Sequence, residues 1–163
     1  REVAPALPLV VTIGSLHSGS RFNIVSGEAV MTGTVRCYDY DLHHSMPEIF
    51  ERIVKNIAAA YRCEAKVEYN MLLEPGVNND EVLNLARKAA AKVVDTPDQV
   101  KTAAPGMGGE DFGEYSIAAK SAFASLGCGG EYPAHSDHVI MDESAFPTGV
   151  ALYCQVAWDL LNE

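Results

Sequence analysis

The sequence is short of the features that mark several functional classes. Only 12 lysines and arginines face 22 aspartates and glutamates, a formal net charge of −10. That balance argues against nucleic acid or an anionic membrane surface as a partner. No apolar run approaches the roughly 20 residues that span a bilayer, and no signal-peptide pattern opens the chain. The four cysteines, Cys37, Cys63, Cys128 and Cys154, are scattered without a CxxC pair. A chain of 163 residues does not need covalent staples, so reduced thiols in a cytoplasmic protein are expected. Internal repeats and low-complexity stretches are also lacking. The chain starts at Arg1 rather than a methionine, from which a cut chain is expected. What remains is 48% hydrophobic and 21% charged, enough for one globular domain or two small ones.

The stretch richest in chemistry is Gly127 to Glu143. It combines glycines at 127, 129 and 130 with Cys128, His135, Asp137 and His138 ahead of an acidic helix start. A neutral imidazole in a turn is the commonest protein ligand for a catalytic metal, which singles out His135. Gly127 and its neighbours would let backbone approach a substrate closely. Cys128 is either a soft ligand or nucleophile, or a small buried hydrophobe. His135 and His138 have HxxH spacing, but Pro133 and the polar run favour a loop over a zinc-binding helix face. Glu110 and Asp111 are adjacent, so their side chains diverge in an extended loop and cannot act as one carboxylate pair. Glu110 alone could orient a ligand or simply be solvated.

Hydrophobic periodicity places these residues on elements. Leu9–Leu16 and Glu28–Tyr38 alternate as strands do, with turn signals around Arg21–Val25 between them. Ser45 and Glu48 form a capping-box pattern before Met46, Ile49, Phe50, Ile53, Ile57 and Tyr61 at helical spacing. Ala65–Leu73 is expected as a third strand, with Val67, Tyr69 and Met71 on one face. Pro75-Gly76 is expected to be a domain boundary. Asn78 with Glu81 is expected to cap a second helix facing a core with Val82, Leu85, Ala86, Ala89 and Val93. Thr96–Gly109 is expected as a long loop, Glu110–Ser116 as a short helix, and Ser121–Leu126 as a strand delivering Gly127. A last helix is expected to begin between Asp142 and Ser144 and to bury Phe146, Leu152, Tyr153, Val156 and Leu160. His17 is read as structural, and His43 and His44 as solvated.

Several short clusters resemble one family in order and spacing. Gly108-Gly109-Glu110-Asp111-Phe112, Leu126-Gly127, Ala134-His135-Ser136 and Met141-Asp142-Glu143, with Gly149 following, are similar to the C-terminal half of a metal-dependent amidohydrolase. The group is that of the aminoacylases, hippuricases and indoleacetyl-amino-acid hydrolases, related to the dimeric zinc carboxypeptidases. Ile13-Gly14, His17, Gly19, Asn23-Ile24-Val25 and Gly33-Thr34-Val35-Arg36 resemble the lid domain of the same group.

The resemblance implies an α/β chain in two parts. Residues 1–74 would be the later part of a ferredoxin-like lid, in the order β-β-α-β, that dimerises through its sheet edge and helices. Residues 75–163 would be the last section of a zinc-exopeptidase-like α/β catalytic domain. His135 matches the C-terminal ligand of a site for two divalent ions (Zn, Mn, Co or Ni). The remaining ligands and the general base would lie N-terminal to Arg1, leaving the isolated chain inactive. Asn23 and Arg36 match a pair that fixes the substrate, and a guanidinium fork suits a carboxylate. Without the resemblance, Asn23 capping a turn and Arg36 lying along a strand edge is the simpler account. Gly127 matches a glycine whose backbone lies beside the substrate, and Glu110 is a candidate for orienting a ligand. Ser26 stands where the family usually has proline.

The implied reaction is metal-assisted hydrolysis of N-acyl amino acids or short peptides, in a homodimer joined through the lid. Two alternatives stay open: a non-catalytic dimerisation or small-ligand-binding module, and a thiol hydrolase built on Cys128 and His135.

Overall fold

The computed structural model describes residues 2–162. The chain divides into two compact units. One comprises the chain up to Gly76 together with Gly106–Gly113, and the other comprises Val77–Pro105 together with the chain from Glu114 onward.

The first unit is built on an antiparallel ribbon of β1 (Leu9–Ser18) and β2 (Ala29–Cys37). Pairing runs from Leu9 opposite Cys37 to Ser18 opposite Ala29, and the register slips once, between Ile13 and Ser15. Gly14 is therefore the extra residue of a β-bulge, a common role for glycine in a strand. Opposite the bulge, a Cβ on Gly33 would lie 2.2 Å from the Thr12 carbonyl oxygen, so no side chain fits there. The two hydroxyls of Ser15 and Thr32 bond across the ribbon at 2.6 Å. Alternation produced both strands, yet Val10, Val11, Ile13, Leu16, Val30 and Met31 remain exposed.

Helix α1 (Tyr40–Ala60) follows directly. Its N-cap is Asp39, whose carboxylate accepts the Leu42 N–H at 2.7 Å. The expected capping box at Ser45 is not formed: the Ser45 hydroxyl turns back to donate to the Leu42 carbonyl, and Pro47 lies inside the helix. Asp39 wins because a carboxylate at the positive helix end satisfies orphan N–H groups earlier in the chain. Leu42 and Met46 are the buried residues of this helix, while Ile57 and Tyr61 are exposed, against expectation. The helix ends in a Schellman arrangement, Arg62 N–H to the Ala59 carbonyl and Cys63 N–H to that of Ala58. Arg62 occupies its left-handed position at φ 62°.

The third strand expected over Ala65–Leu73 is not formed. Burial still alternates, with Ala65, Val67 and Tyr69 half-buried and their neighbours exposed, and Tyr69 meets Phe50 edge-on at 6.1 Å. A strand needs a partner edge for its backbone as well as an apolar face for its side chains. Among the described residues the sheet has two strands only.

In the second unit α2 (Asp80–Val93) packs against α4 (Phe146–Asn162). Asn79, not Asn78, is the N-cap, its side chain accepting from Glu81 and Val82 N–H. Asn78 is used otherwise: its amide accepts from the Phe123 N–H at 2.6 Å and donates to the Phe123 carbonyl at 3.1 Å. That side-chain pairing holds the stretch expected as a strand over Ser121–Leu126, which forms no ladder. The core face of α2 is as expected, with Ala89 fully buried.

Helix α4 differs. Leu152 and Val156 are half-buried, but Phe146, Tyr153 and Leu160 are exposed, because the stripe that meets α2 runs through Leu152, Val156 and Asp159. Lys92 clamps this stripe by donating to both carboxylate oxygens of Asp159, at 2.7 and 2.8 Å. A short α3 (Gly113–Ala118) and 3₁₀ turns at Pro97–Gln99 and Glu143–Ala145 complete the elements. No helix among the described residues is long and apolar enough to cross a membrane.

Candidate functional site

His135 sits in a loop whose two ends are tied together. Gly129 and Gly130 take positive φ of 60° and 103°, conformations that glycine adopts without steric cost. A Cβ on Gly130 would also fall 2.8 Å from the Ile140 carbonyl oxygen. At the far end the Asp142 N–H donates to the Cys128 carbonyl at 2.7 Å. The Asp142 carboxylate accepts from Ser144, which holds it below the usual carboxylate range and starts the last helix.

Two turns lie inside this clasp, Ser136 N–H to the Pro133 carbonyl and Val139 N–H to the Ser136 carbonyl. His135 is the third residue of the first turn and takes φ 71°. A left-handed histidine costs roughly 1–2 kcal/mol relative to ordinary backbone. The ring is exposed and makes no hydrogen bond or ion pair among the described residues.

The neighbours have other duties. His138 lies 3.6 Å from the Asp137 carboxylate and packs tilted against Tyr132 at 5.5 Å. The Cys128 thiol donates to the Leu126 carbonyl, so the pair needed for a Cys128 and His135 thiol hydrolase is not assembled by any contact. Gly127 has nothing within 4 Å of the position a Cβ would take, leaving open space beside its backbone.

In the first unit, Asn23 lies in the turn Arg21–Ile24 between the strands, exposed and with its amide unpaired among the described residues. The same connection forms an open hollow with His17, Ser18, Ile24, Ser26 and Glu28 on its walls. Arg36 does not lie idle along the strand edge: its Nη1 donates to the Met107 carbonyl at 2.6 Å. Glu110, in the same Gly106–Gly113 segment, turns its carboxylate to the Phe112 N–H.

Sequence reasoning missed one cluster here. His43 and His44, expected to be solvated, both approach the same Glu74 oxygen, at 3.8 and 3.1 Å, and the Nε2 of His43 is buried. The adjacent histidines were the available signal; Glu74, thirty residues on from His44, was not.

The chemistry of the donors limits what a metal would find. His135 offers one free imidazole nitrogen, a fit donor for one bond to a divalent ion. No group of three or more His, Cys, Asp or Glu among the described residues is arranged to hold a metal.

Comparison with known proteins gives this geometry its context. The family described as Peptidase family M20/M25/M40 matches residues 7–159. N-acetyl-L-cysteine deacetylase of Bacillus subtilis (strain 168) is 30% identical over 145 residues, covering 89% of this chain and 34% of that protein. Hippurate hydrolase of Campylobacter jejuni is 27% identical over 162 residues, covering 99% of this chain and 42% of that protein. Among solved structures, the YXEP protein of Bacillus subtilis, a dinuclear metal binding peptidase from the M20 family, superposes with a TM-score of 0.84. It is 28% identical and covers 94% of this chain and 42% of its own length. The chain thus spans less than half the length of each of these relatives. With a match that runs through both units, the chain belongs to peptidase family M20/M25/M40.

Proposed function

We propose that the chain is the C-terminal part of a metal-dependent hydrolase that cleaves the amide bond of N-acyl amino acids or short peptides bearing a free carboxylate. The observation that carries this is His135, an imidazole with no partner among the described residues, held at φ 71° in a loop closed by the Cys128 and Asp142 backbones. Strained backbone maintained by surrounding bonds is a feature of functional positions. Family membership supports the same role.

In this scheme His135 contributes one ligand to a site for two divalent ions, of the Zn, Mn, Co or Ni class. When bound, the ions would polarise the scissile carbonyl and acidify a water. Arg36 binds the substrate carboxylate, Asn23 offers its amide to the reacting carbonyl, and the open side of Gly127 leaves room for substrate against backbone. Glu110, accepting from the Phe112 N–H, orients the segment it lies in. Residues 1–74 are the later part of a lid and residues 75–163 the end of the catalytic domain. The exposed apolar side chains of Val11, Ile13 and Leu16 favour joining two lids in a homodimer. By itself the chain is inactive on this scheme, since it assembles no set of three metal-binding side chains among its described residues. A cytoplasmic setting fits the four free cysteines.

Those exposed strand residues equally favour a non-catalytic dimerising module, so the test has to separate the two. The intact protein is assayed for zinc- or manganese-dependent release of free amino acid from N-acetyl and hippuryl substrates. Release that disappears in His135→Ala supports the hydrolase, whereas an intact dimer that binds no metal and releases nothing supports the module.

A further inference from the structure

Arg36 is the penultimate residue of β2, and its bond to the Met107 carbonyl reaches 71 positions along the chain. Met107 belongs to Gly106–Gly113, a segment that is part of the first unit although the stretches on both sides of it are part of the second. Two glycines seat it. A Cβ on Gly109 would stand 3.2 Å from the Leu73 side chain. One on Gly113 would stand 2.4 Å from the Glu74 carbonyl oxygen and 3.2 Å from the Gly76 nitrogen. Backbone therefore lies against backbone at Gly113, and the segment that carries the Met107 carbonyl is seated on Leu73–Gly76.

A guanidinium is planar and presents its donors in a rigid fork. One bond at Nη1 restricts the orientation of the whole plane. The opposite edge, Nη2 with Nε, makes no hydrogen bond or ion pair among the described residues. Two parallel N–H groups on that edge match the two oxygens of a carboxylate. A primary amide matches them poorly, because its NH₂ would face a donor.

We propose that Gly106–Gly113 is the positioning element for Arg36: the Met107 carbonyl fixes the guanidinium so that its Nη2–Nε edge receives a substrate carboxylate side-on and discriminates against the neutral amide. The inference rests on Arg36 being the carboxylate anchor. It adds that specificity for the free acid depends on a segment that need not touch the substrate.

The test measures binding of N-acetylglycine and N-acetylglycinamide to the intact, metal-depleted protein by calorimetry, so that turnover does not intrude. Hydrogen exchange of the Phe112 amide, which donates to Glu110, is followed in parallel. Wild type is expected to prefer the acid by about tenfold or more, the scale of one charge-assisted bond. Gly113→Ala and Gly109→Val are expected to speed exchange in the segment and bring the acid-to-amide ratio close to one, leaving amide affinity unchanged. Faster exchange with the ratio retained, or equal weakening of both ligands, would overturn the proposal. Should Gly113→Ala not fold, Gly109→Val decides alone. Arg36→Ala separates the two levels. If it keeps the wild-type ratio, the anchor itself is wrong; if it loses the ratio while the glycine variants keep it, only the positioning role fails.

Discussion

The Asp142 N–H donates to the Cys128 carbonyl at 2.7 Å, closing a loop that carries His135 between its tied ends. The bond is local and made by backbone alone, so the presentation of the imidazole does not depend on which side chain it carries. Stability and metal binding should therefore separate at position 135.

His135→Gly is expected to melt at or above the wild-type temperature, since glycine relieves a left-handed φ of 71° worth roughly 1–2 kcal/mol. His135→Ala keeps that strain and should gain nothing. Both should lower metal affinity of the intact protein by ~100-fold or more, at least the scale of losing a group that orients a ligand. Thermal melts with metal analysis on the same samples check this. A glycine variant that melts well below wild type would mean the ring packs in a way the loop does not reveal.

The start of α1 provides a second check. Asp39→Ala removes the carboxylate that accepts the Leu42 N–H and should destabilise by about 1 kcal/mol. Ser45→Ala, which loses only a bond back to the Leu42 carbonyl, should stay within about 0.5 kcal/mol of wild type. Urea unfolding of the pair gives the answer, and a larger cost at Ser45 would restore the capping box there.

At the other end of the helix, Arg62 holds the left-handed Schellman position at φ 62°, where glycine is the usual residue. Arg62→Gly should stabilise by up to about 1 kcal/mol, the avoided Cβ strain less the extra freedom of the unfolded chain. An equilibrium unfolding curve shifted to lower denaturant would contradict it.

Asp159 supplies a pH dependence whose sign is fixed. The Lys92 ammonium, first among its partners, and the Gln155 amide hold its carboxyl below the ordinary value. A folded-state pKa below the unfolded one, near 3.9, means the stabilisation is complete above that value and is lost as pH falls through the folded pKa. Asp159→Asn should therefore lower stability at neutral pH and flatten its decline in acid, as read from melting temperatures between about pH 2 and pH 6.

Much of the fold was legible because its signals are local. Both strands of the ribbon, the core face of α2 and the Asp142-capped 3₁₀ turn that leads into the last helix follow from alternation, spacing and caps a few residues apart, although the α-helix itself begins later, at Phe146. What went wrong depends on partners elsewhere. Ala65–Leu73 has the right alternation but no strand edge to pair with. Tyr153 and Leu160 are spaced for a helix face that α2 does not reach. Asn78 and Asn79 are both good caps, and only the pairing of Asn78 with Phe123 decides between them. At the site, residue type singled out His135, and only the family resemblance singled out Arg36. The strain on one and the Met107 partner of the other follow from a loop closure and a contact across 71 positions, which no pattern of neighbouring residues encodes.

Because Gly106–Gly113 belongs with the first unit, the polypeptide passes from one unit to the other three times, at Gly76, Pro105 and Gly113. The units are stitched rather than strung. A protease that nicks the chain near Gly76 severs the residues before the cut from the rest covalently, while Gly106–Gly113, which packs with them, stays on the other fragment. A genetic truncation at the same place would carry the Met107 stitch away with the wrong half.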